Sequence, residues 1–248
     1  MGHAILNSPG ARVFSVETPT HGRVVVRDET DAVGTIVGFH GYGHSAERML
    51  EDLEQVPGAA RWRLVSVQAL HRFYGRDNQT VIASWMTRQD RELAISDNVE
   101  YVNRVMDHVL SSPNPVNPVN PLNQLNPLNP LSLVFAGFSQ GVATAYRAAL
   151  LGRHHAAGII ALGGDLPPEF KASAPREWPR VLIGAGSRDI WYTDTKVRSD
   201  EAALAAQRAP YEVVRFDGGH EWSPVFLAAA GYFLAALSRS TPEVDPGG

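Results

Sequence analysis

Cysteine is absent from this chain of 248 residues. That absence excludes disulfides, thiolate metal sites and a cysteine nucleophile. It fits a reducing compartment, and a cytoplasmic protein is expected. Also missing is any apolar run approaching the ~20 residues that a membrane-spanning helix needs. The N-terminus lacks the basic-then-apolar pattern of a secretory leader, so none is expected. An excess of one charge is missing too: 22 basic residues against 26 acidic ones leave a formal net charge of −4. Nothing in that balance draws the chain to nucleic acid or to an anionic membrane. No H-E-x-x-H or cysteine cluster exists, and the adjacent His154 and His155 fit a solvated turn, so no metal site is expected.

What is present is an alternation of strand-like and helix-like segments. "RVFSVETPTHGRVVVRDE" alternates apolar and polar residues on either side of "PTHG", which predicts an N-terminal antiparallel hairpin. "VGTIVGFHG" predicts a strand buried on both faces, and "SAERMLEDLEQV" a helix capped by Ser45. "WRLVSVQAL" is the next strand, followed by a long aromatic and polar loop, "HRFYGRDNQTVIASW". The segment from Arg88 to Leu110 predicts a long amphipathic helix with Leu93, Ile95, Val99, Val102 and Met106 facing the core. Strands and helices then alternate to the last helix, "SPVFLAAAGYFLAAL". The pattern predicts one α/β domain over 1–238, with a mainly parallel central sheet covered by helices on both faces, and a disordered tail over 239–248.

One segment breaks the alternation. From Asn114 to Leu131 asparagine recurs every third residue, mostly followed by proline, with valine or leucine in the third place. Proline removes donors and fixes φ, so neither helix nor central strand is expected. A polyproline II conformation would gather the apolar positions on one face for a partner. The alternative, which is favoured, is an inert loop insert over 112–131, because loop-closure entropy grows only logarithmically with length.

The chemistry centres on "VFAGFSQG", Val134 to Gly141. Gly137-Phe138-Ser139-Gln140-Gly141 is G-x-S-x-G between a predicted strand and a predicted helix, which is the context of a nucleophilic serine on a strained turn. The residues two positions either side must be small to clear the strand and the helix. A serine hydroxyl needs a base. In such folds the partners follow in the order acid, then histidine. Asp189 in "GSRD" and His220 in "DGGHEW" meet that order at the ends of predicted strands. Asp165 is a rival acid, but it runs straight into "LPP". Two backbone donors should stabilise the oxyanion. One is expected from Gln140 and the other from Tyr42, in the loop that Gly41 and Gly43 allow to approach closely. His40 is expected to brace that loop. Phe73, Tyr74, Trp85, Leu166 and Trp191 are candidates to line an apolar acyl site.

"FHGYG", "GFSQG", the aspartate of "GSRDIWY" and "GGH" together resemble the α/β-hydrolase superfamily, most closely its phospholipase/carboxylesterase branch, which includes acyl-protein thioesterases. The resemblance covers nearly the whole chain apart from the Asn-Pro insert and the tail. It implies an α/β-hydrolase fold, a Ser139–Asp189–His220 triad, an oxyanion hole from the N–H groups of Tyr42 and Gln140, and ester or thioester hydrolysis without a cofactor. It also places Trp85 near the acyl pocket. Where the branch often has an acid after the second glycine of the oxyanion loop, His44 stands here, and "SWMT" lacks the acid that often follows the tryptophan. The partner expected is a small-molecule ester; stable membrane insertion is not expected, and a homodimer is left open. Two other readings compete. A non-catalytic binding protein of the same fold would have no need to keep three triad groups. A dinucleotide-binding oxidoreductase is suggested by "GYGHSA", a G-x-G-x-x-A match, but the acid expected at the end of the next strand is missing.

Overall fold

In a computed structural model of the chain, the residues described are 10–30, 32–111, 133–171 and 176–239. The strands are Arg23–Arg27 (β1), Thr35–Phe39 (β2), Arg63–Gln68 (β3), His71–Tyr74 (β4), Val81–Ser84 (β5), Leu133–Phe138 (β6), Gly158–Leu162 (β7), Arg180–Gly186 (β8) and Tyr211–Phe216 (β9). The helices are Ala46–Glu54 (α1), Arg91–Ser111 (α2), Gln140–Leu151 (α3), the single turn Pro168–Lys171 (α4), Asp194–Ala206 (α5) and Pro224–Arg239 (α6). Seven strands form one sheet in the order β1-β3-β2-β6-β7-β8-β9. All neighbours in it are parallel except β1, which runs antiparallel to β3.

The sheet separates two apolar cores, and strand periodicity decides which residue enters which. On β6, Leu133 and Phe135 join one core, while Val134, Ala136 and Phe138 join the other. The first core includes Val102, Met106 and Val109 of α2, Val142 and Ala145 of α3, and Leu204 of α5. The second is built from Met49 and Leu53 of α1 and from Phe226, Phe233 and Leu237 of α6. Burial on both faces explains why the parallel strands read as continuous apolar runs. Ser45 caps α1, its hydroxyl accepting from the Arg48 N–H at 3.3 Å.

Three expectations are corrected. The N-terminal hairpin does not form: β1 instead ladders onto β3, from Arg23↔Gln68 to Arg27↔Leu64. The preceding segment has no strand, and its Val13, Phe14 and Val16 stay exposed. Alternation reports a half-buried strand but not its partner, and β3 offers an edge whose Leu64, Val65 and Val67 are fully buried. The loop "HRFYGRDNQTVIASW" contains an antiparallel hairpin, β4 with β5, whose turn is held by the Asp77 carboxylate accepting from the N–H groups of Gln79 and Thr80. Leu93 is not a core position of α2; it is exposed, because the buried stripe of the helix begins a turn later at Asn98 and runs through Val102, Val105, Met106 and Val109. The Asn-Pro insert and most of the tail lie outside the described residues.

Candidate active site

The G-x-S-x-G turn joins β6 to α3. Ser139 has φ 53° and ψ −119°, a conformation sparsely populated by any residue with a side chain. Such backbone costs on the order of 1–3 kcal/mol and persists only where the surroundings over-determine it. Here the Ser139 N–H donates to Leu162 O at the end of β7 (2.8 Å), and Ser139 O accepts from the Val142 N–H (3.1 Å). The flanking glycines are required by contact. A Cβ on Gly137 would sit 2.5 Å from Val142 Cα, and one on Gly141 would sit 2.0 Å from Phe39 O. The start of α3 is therefore pressed against the end of β2, which brings the turn beside the loop after β2. Gly41 in that loop faces Phe138 and Ser139 directly.

Asp189 and His220 come from the ends of adjacent strands β8 and β9. Their loops are zipped together: the Ser187 N–H donates to Phe216 O and the Arg188 N–H to Gly218 O, both at 2.8 Å. His220 Nδ1 lies 2.7 Å from Asp189 Oδ2. The other carboxylate oxygen accepts from the N–H groups of Trp191 (2.7 Å) and Tyr192 (3.0 Å). Burial works to raise the Asp189 pKa, but His220 and the two N–H groups outweigh it and hold the carboxyl below its ordinary range. An ionised Asp189 makes Nδ1 the protonated nitrogen and leaves Nε2 to accept a proton. The rival Asp165 is taken up elsewhere, 3.1 Å from Lys196 Nζ.

The imidazole meets the serine turn through Phe138, whose ring centroid lies 4.9 Å from that of His220. Ser139 Oγ makes no hydrogen bond among the described residues, so the turn and the Asp189–His220 pair are brought together without the Ser–His bond being made. His44 is stacked at 5.6 Å on the same Phe138 ring. Burial, then Arg48 and His220, keep the His44 pKa below its ordinary value.

The Tyr42 side chain is exposed and packs on Phe73 at 5.7 Å. Its loop is fixed by main-chain bonds to β5: the Gly43 N–H donates to Ala83 O and the Ala83 N–H to His44 O, both 2.9 Å. Gln140 is the first residue of α3, so its N–H has no intrahelical acceptor. His40 is fully buried; the Ala69 N–H donates to its Nε2 (3.1 Å) and its Nδ1 donates to Gly41 O (2.7 Å).

The acyl-site candidates divide. Phe73, Tyr74 and Trp191 are exposed, with Ile190 beside Trp191. Trp85 and Leu166 are 0% and 1% exposed, so neither lines an open surface; both belong to the first core, where their apolar area is already spent on packing. Missing from the sequence reading is the Gln140 side chain. Its Oε1 accepts from the Trp85 N–H and its Nε2 donates to Met86 O, each at 2.9 Å. Only an alternative partner in space, not spacing along the chain, distinguishes it from a solvated helix-start glutamine. The G-x-G-x-x-A match is a helix entry: Gly41 packs on the serine turn, and Ser45 caps α1.

No curated protein matches the chain. Among solved structures, a Bacillus cereus carboxylesterase superposes with a TM-score of 0.68 at 15% identity, over 87% of this chain and 94% of that one. Esterase PE8 superposes at 0.65 with 21% identity, over 88% and 100%. A phospholipase/carboxylesterase from Dyadobacter fermentans superposes at 0.63 with 17% identity, over 89% and 100%. At such identities the likeness is one of fold. A model of one protein family, described as phospholipase/carboxylesterase, matches residues 20–238. With its strained serine turn and its Asp189–His220 pair inside that span, the chain belongs to the phospholipase/carboxylesterase family of α/β-hydrolase esterases.

Proposed function

We propose that this carboxylic ester hydrolase works through an acyl-enzyme on Ser139, with His220 as general base and Asp189 as its orienting partner. The observation that carries the reading is the Asp189–His220 hydrogen bond, packed by Phe138 against a serine held at positive φ. Ser139 Oγ attacks the ester carbonyl carbon while its proton passes to His220 Nε2. The carbonyl π pair moves to oxygen, and that oxyanion takes hydrogen bonds from the Tyr42 and Gln140 N–H groups. Collapse of the adduct breaks the bond to the leaving alkoxide, which receives the proton from His220. Water, deprotonated by the same imidazole, then releases the carboxylic acid and restores Ser139. Exposed Phe73, Tyr74 and Trp191 offer apolar surface suited to short- and medium-chain acyl groups. Thioesters and lysophospholipids present the same carbonyl.

The test is a panel of p-nitrophenyl esters of increasing chain length, with thioester and lysophospholipid members, run on wild type and Ser139→Ala. Wild type turns over the shorter esters, and the variant loses at least about 10⁴-fold in kcat. A fluorophosphonate labels wild type at Ser139 and leaves the variant unlabelled. Equal hydrolysis by both proteins overturns the assignment, and an unlabelled, inactive wild type makes the chain a binding protein.

A further inference from the structure

The Trp85 ring is shut off from solvent, yet every polar group the residue has is engaged. Its main-chain N–H donates to Gln140 Oε1 (2.9 Å), its carbonyl accepts from Asn98 Nδ2 of α2 (2.7 Å), and its indole N–H donates to His40 O (2.9 Å). A buried tryptophan is expected to satisfy its indole. What matters is which groups it joins. Gln140 carries one oxyanion donor on its own backbone, and His40 O belongs to the peptide that leads through Gly41 to the other donor, Tyr42. The Gln140 amide closes the far side by donating to Met86 O, so it grips residues 85 and 86 as a pair. The His40 ring lies 5.4 Å from the indole and ties the loop to Ala69, the residue after β3.

We infer that Trp85 and the Gln140 side chain form a cross-brace that sets the spacing between the two oxyanion N–H groups, so that both are positioning residues for the hydrolysis. The inference rests on the Ser139 reading and specifies how its oxyanion site is held. The two donors sit on separate elements, the loop after β2 and the start of α3. An oxyanion needs both within about 3 Å at once. The sheet fixes the strands; the brace fixes what extends beyond them. Trp85 therefore contributes to turnover from the core rather than by contacting the acyl chain.

The test is a double-mutant cycle of Trp85→Phe and Gln140→Met. The first keeps an aromatic ring and removes the indole donor; the second keeps the helix and its backbone N–H and removes the amide. Each single variant is expected to lose about ten- to a hundredfold in kcat, the scale of a displaced catalytic group, with KM nearly unchanged. The double variant loses little more than the more impaired single variant, since either change opens the same brace. Affinity for a trifluoromethyl ketone, whose adduct needs the oxyanion site, falls by the same factor as kcat, and affinity for the product acid does not. Thermal unfolding of each variant identifies any that fails to fold, and Gln140→Met alone then carries the kcat and inhibitor comparison. A raised KM with intact kcat overturns the inference and returns Trp85 to the acyl pocket. So do multiplicative single losses, or ketone affinity that holds while kcat falls. Inactivity of wild type strikes the Ser139 reading instead.

Discussion

At the scale of single residues, His40 links the site to pH. Its Nε2 accepts the Ala69 N–H, which only a neutral ring can do. Burial pushes its pKa down to about 4, against the opposing pull of the Gly41 carbonyl. An unfolded chain takes up this proton as pH falls through about 6.5, and the native protein does not until about 4. Stability from this group is thus complete above that window and is lost as pH falls across it, by about 3 kcal/mol. Urea unfolding at several pH values is expected to show the fall in wild type and a flatter curve for His40→Gln, which starts less stable at neutral pH. Comparing the two cancels Asp52 and Asp200, whose shifts are common to both proteins. Parallel curves refute the assignment. Residue type and order singled out Ser139, Asp189 and His220 as candidates, because glycine flanks and strand ends leave marks in the sequence, and the structure pairs Asp189 with His220 beside the Ser139 turn. The depth of Trp85 and the grip of Gln140 were not legible, since a tryptophan at a surface and a tryptophan in a core can have the same neighbours in sequence.

At the scale of elements, the contact between α3 and β2 sets where the serine stands. Gly141 meets the backbone of Phe39 and His40, with no side chain between them to yield. Gly141→Ala must push α3 away from the sheet and carry Ser139 with it. The expected cost is at least about 2 kcal/mol, the scale of overpacking. That lowers Tm by about 4–8 °C for a chain of this size. An esterase rate reduced beyond what unfolding explains is expected alongside it. Gly219→Ala is the stability control, because an added Cβ there meets nothing within 4 Å; thermal scans showing equal losses for both variants would contradict the steric account. Most helices and parallel strands could be read from period and caps. β4 and β5 could not. They are four residues each, β4 is exposed throughout, and their pairing depends on Asp77 and on the Gly43 and His44 bonds to Ala83.

At the scale of the molecule, strand order is the part that sequence conceals. β6 pairs between β2 and β7, so the chain leaves β3, makes the hairpin and α2, and returns to the middle of the sheet. That return places the serine turn beside the loop after β2, which no local pattern announces. It also puts the Asn-Pro segment on the path from α2, ending at Ser111, to β6, starting at Leu133. β6 is held on both edges by ladders and on both faces by cores, so its position does not depend on the length of the link that feeds it. By chain-closure entropy alone, a severalfold change in the length of a link is worth only about 1 kcal/mol. Replacing 114–131 by a short Gly-Ser linker is therefore expected to leave Tm within a few degrees, as that energy implies, and to leave p-nitrophenyl ester hydrolysis unchanged. A Tm drop of about 10 °C or more would mean that the valine and leucine positions bury several kcal/mol of apolar area against the domain. An unchanged Tm with altered ester preference would instead tie the segment to substrate. Thermal unfolding and the ester panel, measured on the same preparation, separate these outcomes, because packing acts on the first and substrate contact on the second.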